Sequence, residues 1–387
     1  MGVIEPERGR VSGIGELKPG IQELLERFRD GQRSALARVI SVVENQRQGF
    51  QEILHELHAA VSQATLIGIT GPPGAGKSTI TADLIERFRA RGQTVGVIAV
   101  DPTSPYTGGA LLGDRIRMNE VAQDPGVFVR SMATRGALGG LAAATREVMD
   151  VVVAFGYDVV LVETVGVGQS ELDIAAAADS TVVVLVPESG DSIQTMKAGL
   201  MEAADLFVVN KADRPGASRL AREVEMMLHL RLGDAMKNIP AHHGVQLRVR
   251  PAAGSAPGST SGSSRSAAGG SSSRPSSSRA RPGSGEAAET WSIPVLLTTA
   301  ETGEGVDVLI ERLDRHREWL ATSGELARRR RARLEERVRD AVKQRLLGQV
   351  WLDGPGRSIL ESSLPELETG GTTPYEVAAR IVDATLG

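Results

Sequence analysis

The run Gly71-Pro72-Pro73-Gly74-Ala75-Gly76-Lys77-Ser78-Thr79 carries the most specific chemistry in this sequence. It fits G-x-x-x-x-G-K-[ST], a loop whose backbone N–H groups cradle phosphate oxygens. The glycines allow the backbone to approach the phosphates, and a helix beginning at the loop adds the favourable partial charge of its N-terminus. Lys77 is expected to reach the β- and γ-phosphates of a nucleoside triphosphate, and Ser78 to ligate Mg²⁺. Phosphoryl transfer of this kind depends on positioning and charge neutralisation more than on covalent catalysis.

A second motif, Asn210-Lys211-Ala212-Asp213, follows the apolar stretch Leu206–Val209. Its chemistry is selection of a base. Guanine presents N1–H and an exocyclic amine, and one carboxylate accepts from both, whereas adenine has no such donor pair. Asp213 suits that role, with Asn210 on the base edge and Lys211 along the ring. A buried carboxylate left without donors by adenine would discriminate by roughly 10⁴-fold. Thr298-Thr299-Ala300 closes a later apolar run, and the backbone amides of Thr299 and Ala300 are candidates for holding the guanine carbonyl. The substrate and product expected are GTP and GDP.

Three acidic residues are candidates around the metal and the γ-phosphate: Asp101 in Val100-Asp-Pro-Thr-Ser-Pro105, Asp114 in Leu112-Gly-Asp-Arg-Ile-Arg117, and Glu163 in Glu163-Thr-Val-Gly166. A carboxylate at a strand end beside the phosphate loop can hold Mg²⁺ directly or through water. For each Asp the alternative is a helix cap or turn, and Asp101 and Glu163 are favoured as functional. The candidate catalytic set is therefore Lys77, Asp101, Asp114 and Glu163, and the candidate metal set Ser78, Asp101, Asp114 and Glu163. Two polar loops, Gly166–Glu171 and Glu188–Ser192, suit segments that change shape with the γ-phosphate, or ordinary flexible loops. His242-His243 is read as a solvated pair, because adjacent exposed residues rarely chelate one ion.

These motifs need strands and helices to hold them. Short apolar runs at Thr65–Thr70, Thr94–Val100, Val127–Ser131, Asp158–Val162, Thr181–Val186, Leu206–Asn210 and Pro294–Thr298 read as strands. Helical patterns lie between most of them, at Ser78–Arg89, Leu141–Phe155, Ser192–Glu202 and Arg219–Leu230. Strand–helix alternation predicts an α/β fold, a mostly parallel sheet flanked by helices with ligands at the strands' carboxyl ends. Residues 1–63 read as an N-terminal helical module, with helix from Ile21 to about Gln63. Residues 64–315 form the nucleotide domain, and 316–387 a helical extension, either a packed appendage or a dimerisation arm. Residues 250–290 interrupt the domain with Ser, Gly, Ala, Pro and Arg and not one Val, Ile, Leu, Met or aromatic residue. Such a stretch cannot bury enough apolar surface to order itself, so it is expected to be a disordered surface insertion.

Composition narrows the classes further. Of 387 residues, 41% are hydrophobic and 24% charged, as in ordinary globular chains. The absence of Cys excludes disulfides, Cys-ligated zinc and thiol catalysis. A net charge of −4 gives no sign of nucleic-acid binding. The N-terminal stretch lacks an apolar signal core, and no apolar run approaches a membrane span, so the expected compartment is the cytoplasm.

With these residues in view, the chain resembles the MeaB/ArgK family of P-loop GTPases, the methylmalonyl-CoA mutase-associated GTPases. The resemblance is carried by GPPGAGKST (71–79), VDPTSPYTGGALLGDRIRM (100–118), RSMATRGALGGLA (130–142), VETVGVGQSE (162–171) and NKAD (210–213). It runs from about Ala64 to Asp213 and resumes near Pro294. It implies a P-loop NTPase fold and a GTPase chaperone that gates cofactor delivery to an adenosylcobalamin-dependent acyl-CoA mutase and protects that enzyme. It also implies a homodimer held by C-terminal arms, Asp101, Asp114 and Glu163 as acidic metal and active-site positions, and a switch near Ser189–Lys197. The 250–290 insertion and Ala137 depart from the usual family pattern. No D-x-H-x-x-G motif is present, so any cobalamin would belong to the partner. A nickel-enzyme metallochaperone GTPase and a P-loop ATPase or kinase are the rival readings; the missing Cys speaks against the first and Asp213 against the second.

Overall fold

The computed structural model describes residues 18–58, 64–102, 123–134, 140–164, 176–189, 198–234, 290–352 and 354–386. Among the described residues the first elements are three helices, α1 (Pro19–Arg29), α2 (Arg33–Glu44) and α3 (Phe50–Leu57). The alternating region follows as β1 (Thr65–Thr70), α4 (Lys77–Ala90), β2 (Val95–Pro102), β3 (Val127–Thr134), α5 (Gly140–Phe155), β4 (Val159–Thr164), β5 (Ser180–Leu185), α6 (Ala198–Ala203), β6 (Leu206–Val209), α7 (Ala217–Asp234) and β7 (Val295–Leu297). Four helices complete it: α8 (Val306–Thr322), α9 (Glu325–Trp351), α10 (Gly356–Glu368) and α11 (Pro374–Leu386).

The seven strands form one parallel sheet in the order β3-β2-β4-β1-β5-β6-β7. Parallel strands are covered on both faces, so they read as unbroken apolar runs. Val159–Val162 is such a run, and its side chains alternate between two cores. Val160 and Val162 join the core beneath α1–α3 and α5, while Val159 and Leu161 join that beneath α4 and α8. A third cluster lies between β5, β6, α6 and α7. β1 lies at the centre with β4 and β5 on either side, so the loop leaving β1 opens at the strands' carboxyl ends.

Several boundaries differ from the sequence expectation. The stretch read as helix from Ile21 to about Gln63 breaks into α1, α2 and α3, with Gly31 and Gly49 at φ +76° and +92° between them. These helices do not stand apart: Leu25, Phe28, Leu36 and Val39 share a core with Ile98, Phe128 and Val152. α8 starts at Val306 and runs through Arg315, and its Val306, Leu309, Ile310 and Leu313 pack on the sheet. Of the predicted helix Ser192–Glu202, only Ala198 onward falls among the described residues. The 250–290 stretch and His242-His243 lie outside them.

α9 has no fully buried side chain. Charge attaches it to the body. Arg329 donates to both carboxylate oxygens of Asp205 at 2.9 and 3.1 Å, Arg330 and Arg333 reach Asp179 at 2.8 and 2.5 Å, and Arg337 reaches Asp150 at 2.5 Å. Burial pushes the Asp205 carboxyl up, but the neighbouring His316 and the Arg329 guanidinium outweigh it and hold the group down at about 2. Among the described residues no helix is long and apolar enough to cross a membrane.

Candidate nucleotide site

The loop between β1 and α4 owes its shape to two glycines. Gly71 has φ +138°, and a Cβ there would stand 2.0 Å from the Val184 carbonyl oxygen on β5. Gly76 caps α4 at φ +85°, and its Cβ would stand 2.3 Å from Asn210 Nδ2. Both positions are left-handed and crowded, so only glycine fits. The buried Lys77 folds back over the loop, its Nζ donating to the carbonyls of Gly71 and Pro72, each at 2.9 Å. Its charge is thereby fixed at the loop mouth.

Ser78 Oγ donates to Glu163 Oε1 at 2.5 Å. The parallel register sets Ile69 of β1 beside Glu163 of β4, which brings the carboxylate to the first turn of α4. One step further, Thr164 Oγ1 donates to Thr70 Oγ1 at 3.0 Å, satisfying two buried hydroxyls between the strands. On the far side of β4, the register pairs Ala99 with Glu163, and Asp101 follows two residues later beside Ala133 of β3. The Asp101 backbone thus ends β2 near Glu163. Its side chain, and the whole of Asp114, lie outside the described residues.

At the other end, Asn210 ends β6, buried. Its Nδ2 donates to the Ala75 carbonyl at 2.9 Å, and its Oδ1 accepts from Thr298 Oγ1 and from the Ala300 amide, both at 3.1 Å. The carboxamide ties the phosphate loop to the segment after β7, and Asn210 also lines the cavity described below. The Thr299 amide donates to the Glu304 carbonyl at 2.9 Å. The amides of Thr299 and Ala300 both have partners within the protein, and both residues line the cavity described below. Lys211 adopts φ +56°, rare for a residue with a side chain, and the Ala212 amide donates to the Thr298 carbonyl at 3.0 Å. Asp213 is exposed at the rim.

A cavity of about 400 Å³ joins the two ends. One end is lined by Pro73, Gly74, Gly76, Lys77, Ser78, Thr79 and Glu163, and the other by Asn210, Lys211, Asp213, Thr299 and Ala300. Gly71, Pro72 and Ala75 serve from behind, as carbonyl acceptors for Lys77 and Asn210. The sequence reading missed Thr164, Arg214 and Glu301, which also line the cavity. The only signal for them was adjacency to Glu163, Asp213 and Ala300.

The family model described as Methylmalonyl Co-A mutase-associated GTPase MeaB matches residues 36–354. The chain belongs to the MeaB family. A Pyrococcus abyssi member named for GTPase activity is 41% identical over 367 residues, covering 95% of this chain and 97% of its own. GTPase ArgK of Escherichia coli is 42% identical over 205 residues, covering 52% of this chain and 62% of its own. The mouse protein named methylmalonic aciduria type A homolog, mitochondrial, is 38% identical over 216 residues, or 50% and 52% of the two chains. A solved structure described as an LAO/AO transport system kinase shares the fold with TM-score 0.60 at 24% identity, over 96% of this chain and 98% of that one. As a MeaB-family member, the protein is a P-loop GTPase.

One other constellation invites a catalytic reading. Ser180 Oγ and His316 Nδ1 are 2.8 Å apart, and His316 Nε2 is 3.4 Å from Asp205 Oδ1. Ser180 and His316 are 1% and 0% exposed, so no substrate can reach them. The group ties β5 to α8 and, through the Asp205–Arg329 pair, to α9.

Proposed function

We propose that this MeaB-family GTPase acts as the chaperone of an adenosylcobalamin-dependent acyl-CoA mutase, gating cofactor loading and protecting the enzyme. The observation that carries this reading is the match of residues 36–354 to a family named for its association with methylmalonyl-CoA mutase. The mouse relative's name points the same way. Any cobalamin enters through the partner.

Within the cavity, the reading assigns GTP's phosphates to the loop at 71–79 and its base to the Asn210–Asp213 end. Lys77 brings positive charge to the β- and γ-phosphates. Asn210 keeps the phosphate loop and the Thr298–Ala300 segment in register, so base and phosphates are gripped together. Asp213 accepts from the guanine N1–H and amine. The donor set at Ser78 and Glu163 fits Mg²⁺: a hydroxyl and a carboxylate 2.5 Å apart, both oxygen, as this hard ion prefers. Ser78 and Glu163 would hold it, with Asp101 and Asp114 as further acidic candidates, and when bound it neutralises charge on the phosphates.

A homodimer is part of the proposal. The outer half of α9 exposes Val338, Val342, Leu346, Leu347 and Trp351, a ridge built on four-residue steps. A second copy of the arm is an occupant of matching chemistry. A cytoplasmic site of action goes with this reading. Nothing favours the nickel-metallochaperone reading; among the described residues no three His, Cys, Asp or Glu side chains gather as a metal site.

The test is affinity capture from native extract with the full chain, run with a GTP analogue, with GDP and without nucleotide. A cobalamin-dependent mutase recovered in nucleotide-sensitive yield supports the proposal. Reproducible recovery of another client, with the mutase present in the extract but not retained, overturns it.

A further inference from the structure

The base end of the cavity carries an ion pair that the motif does not explain. Arg214, next after Asp213, lines the cavity, and its Nη1 donates to Glu188 Oε1. Glu188 belongs to the 3₁₀ turn Pro187–Ser189 that leaves β5. The two segments also meet beside the pair: a Cβ on Gly216 would stand 3.7 Å from that of Pro187. The charges alternate around this wall. Glu188 faces Arg214 and Lys211, and Arg214 faces Glu188, Asp213 and Glu301.

The loop needs such ties. Lys211 sits at φ +56°, a conformation that costs a non-glycine residue energy and persists only where surroundings over-determine it. The Ala212 amide on the Thr298 carbonyl holds the loop from one side. The Arg214–Glu188 pair holds it from the other. Removing Arg214 would take from Glu188 its ion-pair partner and from Asp213 and Glu301, which line the cavity, a neighbouring positive charge.

We propose that Arg214, clasped by Glu188, is a positioning residue for base recognition. It locks the Asn210–Asp213 loop to the Pro187–Ser189 turn, aims the Asp213 carboxylate and slows nucleotide release. Both partners are about half exposed in the free protein, at 46% and 50%, where an ion pair contributes little to folding. A base filling the cavity displaces water beside the pair and strengthens it. Its effect therefore appears in nucleotide release and base preference, and not in thermal stability. This inference rests on reading the cavity as a guanine-nucleotide site.

The experiment is stopped-flow release of fluorescent mant-GDP from the full chain, alongside relative affinity for GDP and inosine diphosphate, which lacks the exocyclic amine. Wild type is compared with Arg214→Ala, Glu188→Ala, the double variant and the charge swap Arg214→Glu with Glu188→Arg. Each single variant is expected to release mant-GDP about 3- to 10-fold faster, the scale of a partly desolvated ion pair. The double variant should be no faster than the singles, the swap should recover, the GDP preference should shrink and the melting temperature should hold. Release within twofold of wild type, additive singles, an unchanged GDP preference, or a melting temperature that falls with release would each overturn it. Failure of the wild type itself to bind mant-GDP would instead overturn the assignment of the cavity.

Discussion

Ser78 Oγ and Glu163 Oε1 share a 2.5 Å hydrogen bond that joins the first turn of α4 to the end of β4. The pair stands where charge must be neutralised during phosphoryl transfer. Glu163→Gln keeps the shape and removes the charge. It is expected to slow GTP hydrolysis on the order of 10²-fold, the usual loss when one preorganised electrostatic contact is removed, with GDP affinity changed little. Single-turnover hydrolysis and GDP titration separate the two. Hydrolysis at the wild-type rate would show that Glu163 only braces Ser78.

Asn210 makes three buried hydrogen bonds, to Ala75, Thr298 and Ala300. Asn210→Ala leaves those groups without their partner, at a cost of roughly 2–4 kcal/mol in unfolding free energy. Because both cavity ends lose their tie, affinity for GDP and inosine diphosphate should fall together. Urea denaturation with parallel titrations checks this. A selective loss of guanine preference at unchanged stability would instead mean that Asn210 acts on the base edge, as the motif suggests.

What the sequence exposed and what it hid divide by range. Val159–Val162 was readable as a buried strand because both its faces meet apolar helices. The phosphate loop was readable because its glycines answer to local backbone demands. Asn210's task was hidden, since its partners lie 88 to 135 residues away in sequence and only the closed sheet brings them together. The arm's attachment was hidden likewise: Arg329 and Asp205 are 124 residues apart, and the arginine-rich run around Arg329 reads equally well as a solvated face. The N-terminal helices were read as one, because helical periodicity says nothing of the left-handed turns at Gly31 and Gly49.

Asp213 lines the base end of the cavity. Xanthine carries a carbonyl where guanine carries its amine, so a side-chain amide complements xanthine as a carboxylate complements guanine. Asp213→Asn is expected to lower GTP affinity on the order of 10²-fold or more and to raise xanthosine triphosphate affinity in return. Competition of each nucleotide against mant-GDP measures both. Equal loss of the two would mean that Asp213 acts on loop structure and not on the base.

Glu147 of α5 has its Oε2 buried without a hydrogen-bond partner among the described residues, at the seam with α9. Burial raises its carboxyl; Arg337 of α9 opposes this, Asp150 of α5 adds to it and Arg146 of α5 opposes it, leaving the group at about 7. A carboxyl raised from an unfolded value of 4.5 holds its proton in the folded chain after the unfolded chain has lost it. Between pH 4.5 and 7 the folded state binds more protons, so stability falls as pH rises through that window. The loss from this group is at most about 3 kcal/mol. Glu147→Gln cannot titrate, so the variant should gain on wild type as pH climbs from 5 to 8, roughly flattening the difference above 7. Urea unfolding of both proteins across that range reads the effect, and parallel pH profiles would mean that Glu147 is solvated and titrates as an ordinary carboxylate.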